Sequence, residues 1–212
     1  MPALCAPERF VQTFNRRRDG LRCDRCRTVL HRQHRHVIEL AAHQLLCSCK
    51  ACASEVERSV LGSYRLIPEA VRSEHEWAPS WERWDSFGMP LRLGFFLWLS
   101  RLARWVAVAP SPAGAVNVDV PSSAWSAYLS ESGIARQVRP DVEALLVRGA
   151  GGGPLEAYVV PLDLCYELVA LVRQTWHGID GGDGARAELD RYFERLRRRA
   201  TAAPLARVAG QG

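Results

Sequence analysis

The sequence predicts an α+β fold, in which a small cysteine-rich module precedes a mixed α/β domain that ends in two helices. Two Cys-x-x-Cys pairs lie near the N-terminus. The middle of the chain carries short apolar runs typical of strands, and the last third repeats apolar residues at helical spacing. With 212 residues, of which 48% are hydrophobic, the chain is large enough for an apolar core beside the module.

We assign residues 1–56 to the cysteine-rich module. Its first segment, about residues 7–18, carries apolar residues on one side and ends in arginines, which is typical of a short amphipathic helix. Between the two cysteine pairs, residues 36–40 alternate between the two faces of a strand, and residues 45–47 follow a short polar break. This pattern predicts a β-hairpin that brings the two pairs together.

The paired cysteines have the spacing of a ribbon-type metal site. Each Cys-x-x-Cys pair occupies a tight turn that directs both sulfurs inward, and two turns complete a tetrahedron of thiolates. Zinc is the expected ion, because tetrahedral thiolate sites of this spacing are mostly structural zinc, so the module is predicted to be zinc-ribbon-like. Iron or an iron–sulfur cluster is the alternative, since clusters also take four thiolates. The predicted ligands are Cys23, Cys26, Cys49 and Cys52.

Further donors lie beside this set and are alternative ligands. Cys47 precedes Cys49 by two residues, so both could approach one ion from an extended strand. His34 and His36 share a face in the same way, and either could replace a cysteine or support a ligand through a hydrogen bond. Because five cysteines are available in this region, we favour surface-exposed histidines. A closed four-ligand site leaves no open position for catalysis, so we expect a structural or partner-binding role.

Residues 57–200 form the predicted mixed domain. Residues 91–108 are strand-like or buried, and the turn-forming sequence APSPAG follows at residues 109–114. Two further apolar runs, residues 142–147 and 155–160, flank a glycine-rich stretch and predict a second hairpin.

Two helices are predicted at the end of this domain. Asp163 is the expected N-cap of the first helix, whose apolar face includes Leu168 and Val172. The second helix follows a glycine-rich break at residues 178–182 and carries arginines in its last turn. We expect residues 201–212, which are rich in alanine, to form a disordered tail.

The composition favours a soluble cytoplasmic protein. The segment MPALCAPERF lacks a secretion signal, and the most apolar stretch, residues 93–109, is interrupted by Arg101 and Arg104. The seven cysteines are odd in number and clustered, which favours metal-bound thiolates over disulfides.

Cys165 lies on an apolar helix face and is expected to be a buried thiol. No phosphate loop, nucleophile elbow or His-Glu-x-x-His motif is present, so we predict that the protein is not an enzyme.

The charge balance is a weak indication of an acidic partner. The formal net charge of +5 could suggest nucleic acid. However, Lys50 is the only lysine, and the arginines are dispersed along the chain rather than massed near the cysteine pairs. We therefore do not expect a nucleic-acid partner, and we expect no membrane partner.

Several motifs together resemble an uncharacterised bacterial protein family. They are Cys23-x-x-Cys26, HRHV at residues 34–37, LCSCKAC at 46–52, PSPAGA at 110–115, PDVEALLV at 140–147, VPLDLCY at 160–166, and the segments 173–176 and 178–182. Their order, rather than any one motif, carries the resemblance. Members of that family are typically encoded beside high-affinity, oxygen-tolerant uptake NiFe-hydrogenases. The resemblance implies a setting in hydrogenase assembly, maturation or electron delivery, without a defined activity.

The preferred function is therefore a non-enzymatic, metal-binding accessory protein in NiFe-hydrogenase assembly or maturation. Zinc would hold the ribbon together while the protein contacts a hydrogenase subunit or a maturation factor. One alternative is an iron–sulfur or rubredoxin-like electron-transfer protein that serves the hydrogenase, which would be coloured. A second alternative is a nucleic-acid-binding zinc ribbon, whose affinity would fall steeply with salt.

Overall fold

The computed structural model describes residues 21–59, 62–73, 81–87, 89, 92–121, 123, 128, 135–149, 155–176 and 181–202. The helix predicted at residues 7–18 and most of the predicted tail lie outside these ranges. Within them, the chain forms four α-helices and ten strands, which confirms a mixed α+β protein. None of the described helices is long and apolar enough to cross a membrane.

A three-stranded antiparallel sheet follows the first cysteine pair. Its strands are β1 (Arg35–Glu39), β2 (Gln44–Ser48) and β3 (Tyr64–Leu66), in the order β2-β1-β3. The connection between β1 and β2 contains His43 with a φ of 50°, a left-handed conformation in which histidine is enriched. Helix α1 (Lys50–Arg58) follows β2 almost directly. The hairpin predicted between the two cysteine pairs is confirmed.

A seven-stranded sheet forms the main body of the protein, in the order β10-β4-β9-β8-β5-β6-β7. All neighbouring strands are antiparallel except β10 and β4, which are parallel. The strands are β4 (Val71–Ser73), β5 (Leu93–Leu99), β6 (Arg104–Ser111), β7 (Gly114–Val118), β8 (Glu143–Gly149), β9 (Leu155–Pro161) and β10 (Ala200–Ala202).

One predicted connection in this sheet is confirmed and another is wrong. Strands β8 and β9 form the hairpin predicted from residues 142–147 and 155–160. The turn predicted at residues 109–114 is too long, because β6 continues through Ser111 and pairs with β7 from Gly114 onward. Gly114 has a φ of 123°, a conformation that glycine adopts without a steric penalty, so the chain reverses within two residues.

The two helices predicted at the C-terminal end are confirmed as α3 (Leu162–Thr175) and α4 (Gly182–Arg199). The predicted N-cap of α3 is wrong. Strand β9 runs directly into the helix, so Pro161 occupies the N-cap position without a side-chain hydrogen bond. Asp163 lies instead in the first turn, where its carboxylate interacts favourably with the positive end of the helix dipole.

The seven-stranded sheet carries an apolar layer on each face, because successive residues of a strand point to opposite sides. On one face, Phe95 and Leu146 are buried in a cluster that includes the apolar residues of α3 and α4. On the other face, Phe96 and Leu145 pack in a cluster with Trp84 of the short helix α2 (Trp81–Ser86). The central strands are therefore covered on both sides.

The cysteine-rich module packs against the large sheet. Ile38 of β1 and Leu45 of β2 are buried in the same cluster as the sheet residues beneath α3. Helix α1 crosses the boundary predicted after residue 56, and the division into two domains stays a prediction. At the other end, Thr201 and Ala202 belong to β10, so regular structure extends past the predicted start of the tail.

Candidate metal centre

The first cysteine pair lies in a tight turn closed by backbone hydrogen bonds. The N–H of Cys23 donates to the carbonyl of Thr28 at 2.8 Å, and the N–H of Arg27 donates to the carbonyl of Cys23 at 2.8 Å. Arg27 adopts a φ of 66°, which reverses the chain after Cys26. Cys23 is buried and Cys26 is exposed. The backbone of this turn therefore sets the separation of the two sulfurs.

The second cysteine pair lies where β2 leads into α1. Cys49 is the N-cap of the helix, and its sulfur accepts a hydrogen bond from the N–H of Cys52 at 3.5 Å. The carbonyl of Cys49 accepts from the N–H of Ala53 at 2.9 Å. The start of a helix presents N–H groups and partial positive charge, both of which stabilise a thiolate. Helix α1 therefore positions this pair.

Polar contacts join the two turns. The N–H of Asp24 donates to the carbonyl of Cys47 at 2.9 Å, and the N–H of Cys47 donates to the Asp24 carboxylate at 2.7 Å. Arg25 donates to the carbonyl of Cys52 at 3.2 Å and to the Glu55 carboxylate at 3.1 Å. The first turn is thus attached both to β2 and to α1.

These contacts bring the four predicted ligands into one cluster. The sulfurs of Cys23, Cys26, Cys49 and Cys52 all lie within 4.8 Å of one another. The sulfurs of Cys26 and Cys49 are 3.6 Å apart. Four thiols this close together could hold a metal ion, and an all-sulfur donor set suits zinc or iron.

The surroundings of these thiols affect their proton affinities unequally. Burial raises the pKa of Cys23, but backbone N–H groups, led by that of Cys49, donate to its sulfur, and the net shift is downward. Hydrogen bonds from Thr28 lower the pKa of Cys26 to about 6. Desolvation and hydrogen bonding to the neighbouring sulfurs raise the pKa of Cys52 to about 12. A bound cation would displace the proton of Cys52, so metal affinity is expected to fall in acid.

Cys47, His34 and His36, the alternative ligands, lie in a second cluster. One donor atom of each lies within 4.8 Å of the others. The hairpin register places His36 directly opposite Cys47, whereas Cys49 belongs to the four-cysteine cluster. The expectation of surface-exposed histidines is wrong, since both are half-buried and only 15% of the His36 side chain is exposed. The alternation of His34 and His36 was a signal of this cluster, but its link to Cys47 depends on the hairpin register.

A groove of about 940 Å³ lies between the cysteine-rich module and the C-terminal helices. Its walls include His34, Cys49 and Lys50 from the module and Asp163 and Arg199 from the helices. Each donor cluster therefore contributes a residue to the same groove.

Cys165 belongs to neither donor cluster. It is fully buried in the apolar cluster beneath α3, and burial raises its pKa well above the ordinary value for a thiol. The prediction of a buried thiol is confirmed, and a neutral thiol in this position behaves as a small hydrophobic group.

No curated protein and no solved structure matches the chain. One family model matches residues 22–200, from just before the first cysteine pair to the end of the helical region. The match includes both cysteine pairs and strands β1 to β9. The chain therefore belongs to the family of unknown function DUF5947.

Proposed function

We propose that this protein is a non-enzymatic accessory protein whose four-cysteine cluster binds zinc and forms a ribbon for contact with a protein partner. The observation that carries the proposal is the close approach of the four sulfurs, within 4.8 Å of one another. The sequence resemblance to proteins encoded beside NiFe-hydrogenases supports assembly or maturation of such an enzyme as the setting. A hydrogenase subunit or a maturation factor is the proposed partner.

The sulfur separations support a single tetrahedral ion. Zinc–sulfur bonds of about 2.3 Å place neighbouring sulfurs of a tetrahedron about 3.8 Å apart. The separation of 3.6 Å between Cys26 and Cys49 is close to this value. An iron–sulfur cluster attaches its thiolates to different iron atoms and requires wider separations between some of them. The geometry therefore favours one ion over a cluster, and a rubredoxin-like iron centre is the remaining alternative.

A complete set of four thiolates supports a structural role. Four ligands fill the tetrahedral coordination sphere of zinc and leave no position for a substrate. The apolar support of α1 is small, since it buries Ala53 and Val56. In a module of this kind, the free energy of metal binding contributes directly to folding. Zinc would thus stabilise the surface that a partner contacts.

The arginines of α4 do not favour the nucleic-acid alternative. Arg195 pairs with Glu167 at 3.1 Å, and Arg197 pairs with Glu156 at 3.3 Å. A guanidinium group that already pairs with a carboxylate contributes less binding free energy through a phosphate contact, because the existing ion pair must first be broken.

Metal analysis and an absorption spectrum of protein purified without oxygen test the identity of the ion. We expect bound zinc and no visible absorption band, because zinc has a filled d shell. Iron with a reducible visible band would contradict the zinc proposal and support an electron-transfer protein.

A pair of cysteine variants tests the ligand set. Cys49→Ser removes one thiolate from the cluster, whereas Cys165→Ala removes a buried thiol outside it. We expect Cys49→Ser to lose one equivalent of zinc and to unfold at lower temperature, while Cys165→Ala retains its zinc. Full zinc content and unchanged stability in Cys49→Ser would rule out this ligand set.

Co-purification tests the partner. The tagged chain would be co-expressed with hydrogenase subunits and maturation proteins, and one of them is expected to co-purify with it. Cys49→Ser should reduce this recovery and Cys165→Ala should not. If none of these proteins is recovered with the wild-type chain, the hydrogenase setting is wrong, and the zinc measurements are unaffected.

A further inference from the structure

The second donor cluster is built into the β1–β2 hairpin. His36 and Cys47 are directly opposite each other in the antiparallel register. His34 precedes His36 by two residues, and the two rings lie edge to face with centroids 4.7 Å apart. One donor atom from each of the three side chains lies within 4.8 Å of the others. Two imidazoles and one thiol therefore converge at the end of the hairpin where β1 begins.

Hydrogen bonds fix which ring nitrogen of each histidine is available. The Nδ1 atom of His34 lies 3.0 Å from the carbonyl oxygen of His31, and Nδ1 of His36 lies 2.8 Å from a carboxylate oxygen of Asp163. Carbonyl and carboxylate oxygens accept hydrogen bonds, so both Nδ1 atoms must carry the proton. In the neutral rings, each Nε2 atom then keeps a lone pair that can bind a metal ion.

Two further features are those expected around a metal ion. The Nε2 atom of His34 is buried and has no hydrogen-bond partner among the described residues, although buried polar atoms are nearly always satisfied. Asp163 also accepts from the N–H of Leu164 at 2.9 Å, which holds its carboxylate in place behind His36. Metal-ligating histidines characteristically donate their second ring N–H to such a carboxylate.

This donor cluster is separate from the four-cysteine cluster and has three donor residues instead of four. Cys47 contributes its backbone to the first cysteine turn through Asp24, but its thiol belongs with the histidines. Three protein donors leave one position of a tetrahedral ion open, as in zinc sites that bind water or a substrate. Of the three donor residues, His34 lines the groove of about 940 Å³, together with Asp163, so the groove reaches the cluster on the side of His34.

We propose that His34, His36 and Cys47 form a second metal site. It binds zinc(II) through two imidazoles and one thiolate, with its fourth position open to the groove for water or a small anionic ligand. The charged residues of the groove wall are four cations against two carboxylates, which favours an anion over a cation as the exchangeable ligand. They are Arg32, Arg35, Lys50, Arg199, Glu69 and Asp163. This site uses none of the four cysteine ligands, and its existence does not depend on the proposed function.

Cobalt(II) titration of the full-length chain tests this proposal. Cobalt(II) binds to tetrahedral zinc sites through the same ligands, and its complexes absorb visible light. We expect metal-free wild-type protein to bind two equivalents of cobalt(II) without oxygen. One should show the strong sulfur-to-cobalt absorption of four thiolates, and the other the weaker absorption of a single thiolate. Absence of the equivalent with the single-thiolate spectrum from the wild-type protein would overturn the proposal, whether or not the four-cysteine cluster binds cobalt(II).

Variants test whether His36 and Asp163 are needed to bind the second equivalent of cobalt(II). His36→Ala should bind one equivalent fewer and keep the four-thiolate spectrum, whereas the control His31→Ala should bind both, because His31 contributes its backbone carbonyl. Asp163→Asn keeps the shape of the side chain and should lower the affinity for the second equivalent of cobalt(II) about 10–100-fold, without changing the affinity for the first. Two equivalents in His36→Ala, or unchanged affinity of the second equivalent in Asp163→Asn, would show that these residues do not form the site.

Discussion

The cysteine-rich module and the seven-stranded sheet differ in what holds them together. In the sheet, Leu145 and Leu146 of β8 point to opposite faces, and both are fully buried in apolar clusters. In the module, the two cysteine turns meet through hydrogen bonds and four converging thiols. Its buried apolar residues Val37 and Ile38 lie on β1, away from the turns. Burial of apolar area stabilises the sheet, whereas we expect the cysteine turns to need a bound ion.

Because of this difference, we expect mutation of a metal ligand and mutation of a core side chain to affect different parts of the protein. Structural zinc contributes an apparent binding free energy of about 10–16 kcal/mol to small modules. The sheet gains about 25 cal/mol for each Å² of apolar surface that it buries. Loss of a ligand should therefore act on the two cysteine turns, and loss of a core side chain should act on the whole chain while leaving the ligands in place.

The largest effect is expected for Cys23→Ala, which removes a fully buried thiol of the first turn. The variant should lose the zinc of the four-cysteine cluster and with it most of the metal-binding free energy, about 10 kcal/mol, so the two cysteine turns unfold. Limited proteolysis with trypsin should cut at Arg25 and Arg58 while the sheet stays intact. Equal cleavage throughout the chain would show that the two regions do not differ in this way.

A smaller effect is expected for Leu146→Ala in the central strand β8. A buried leucine truncated to alanine costs about 2–5 kcal/mol, because apolar contacts are lost and a cavity remains. Denaturant unfolding measures this cost, and zinc content should not change. Val116→Ala is the matched control on β7, since Val116 is 45% exposed and its truncation should cost less than about 0.5 kcal/mol. A loss of zinc in Leu146→Ala would contradict the expectation that truncation of a core side chain leaves the metal ligands in place.

Glu143 should make the stability of the sheet depend on pH. Its buried carboxylate accepts hydrogen bonds from Arg72 and Arg139. Burial raises its pKa, but these two guanidinium groups outweigh burial, and the net shift is downward. A lowered pKa in the folded state stabilises the fold above the unfolded pKa, and this contribution is lost as pH falls through the folded value.

Glu143→Gln tests this dependence. The variant should lose about 1–3 kcal/mol at neutral pH, because two guanidinium groups lose a charged acceptor. Its stability should then fall less than that of the wild type on acidification, as measured by denaturant unfolding across a pH series. Parallel pH profiles for the two proteins would exclude Glu143 as a source of the acid sensitivity.

The smallest effect is expected for Arg25→Ala at the junction between the first turn and α1. Arg25 pairs with Glu55 at 3.1 Å and lies 5.3 Å from the centre of the Tyr64 ring. Partly exposed contacts of this kind contribute about 1 kcal/mol or less. Chelator competition should show zinc affinity reduced by a few-fold, with sheet stability unchanged. An effect as large as that of Cys23→Ala would mean that the junction, rather than the ion, holds the turns together.

The sequence predicted those features that depend on local patterns. The β8–β9 hairpin and the helices α3 and α4 follow from strand and helix periodicity, and the four cysteines follow from their spacing. The pairing of His36 with Cys47 depends on hairpin register, which no short pattern determines. The hydrogen bond from His36 to Asp163 joins residues far apart in the chain, so only the packing of the module on α3 reveals it. The N-cap of α3 shows the same limit, because the pairing of β9 with β8 extends to Pro161 and the helix begins before the expected cap, Asp163.

Hydrogen exchange of the wild-type protein, with and without a strong chelator, tests the central claim most directly. Amide groups of Cys23, Arg27 and Ala53 donate the hydrogen bonds that close the two cysteine turns. We predict that these amides lose protection when the ion is removed, while the paired amides of β8 and β9 keep theirs. Unchanged protection in the turns, or loss of protection in both regions together, would contradict the account.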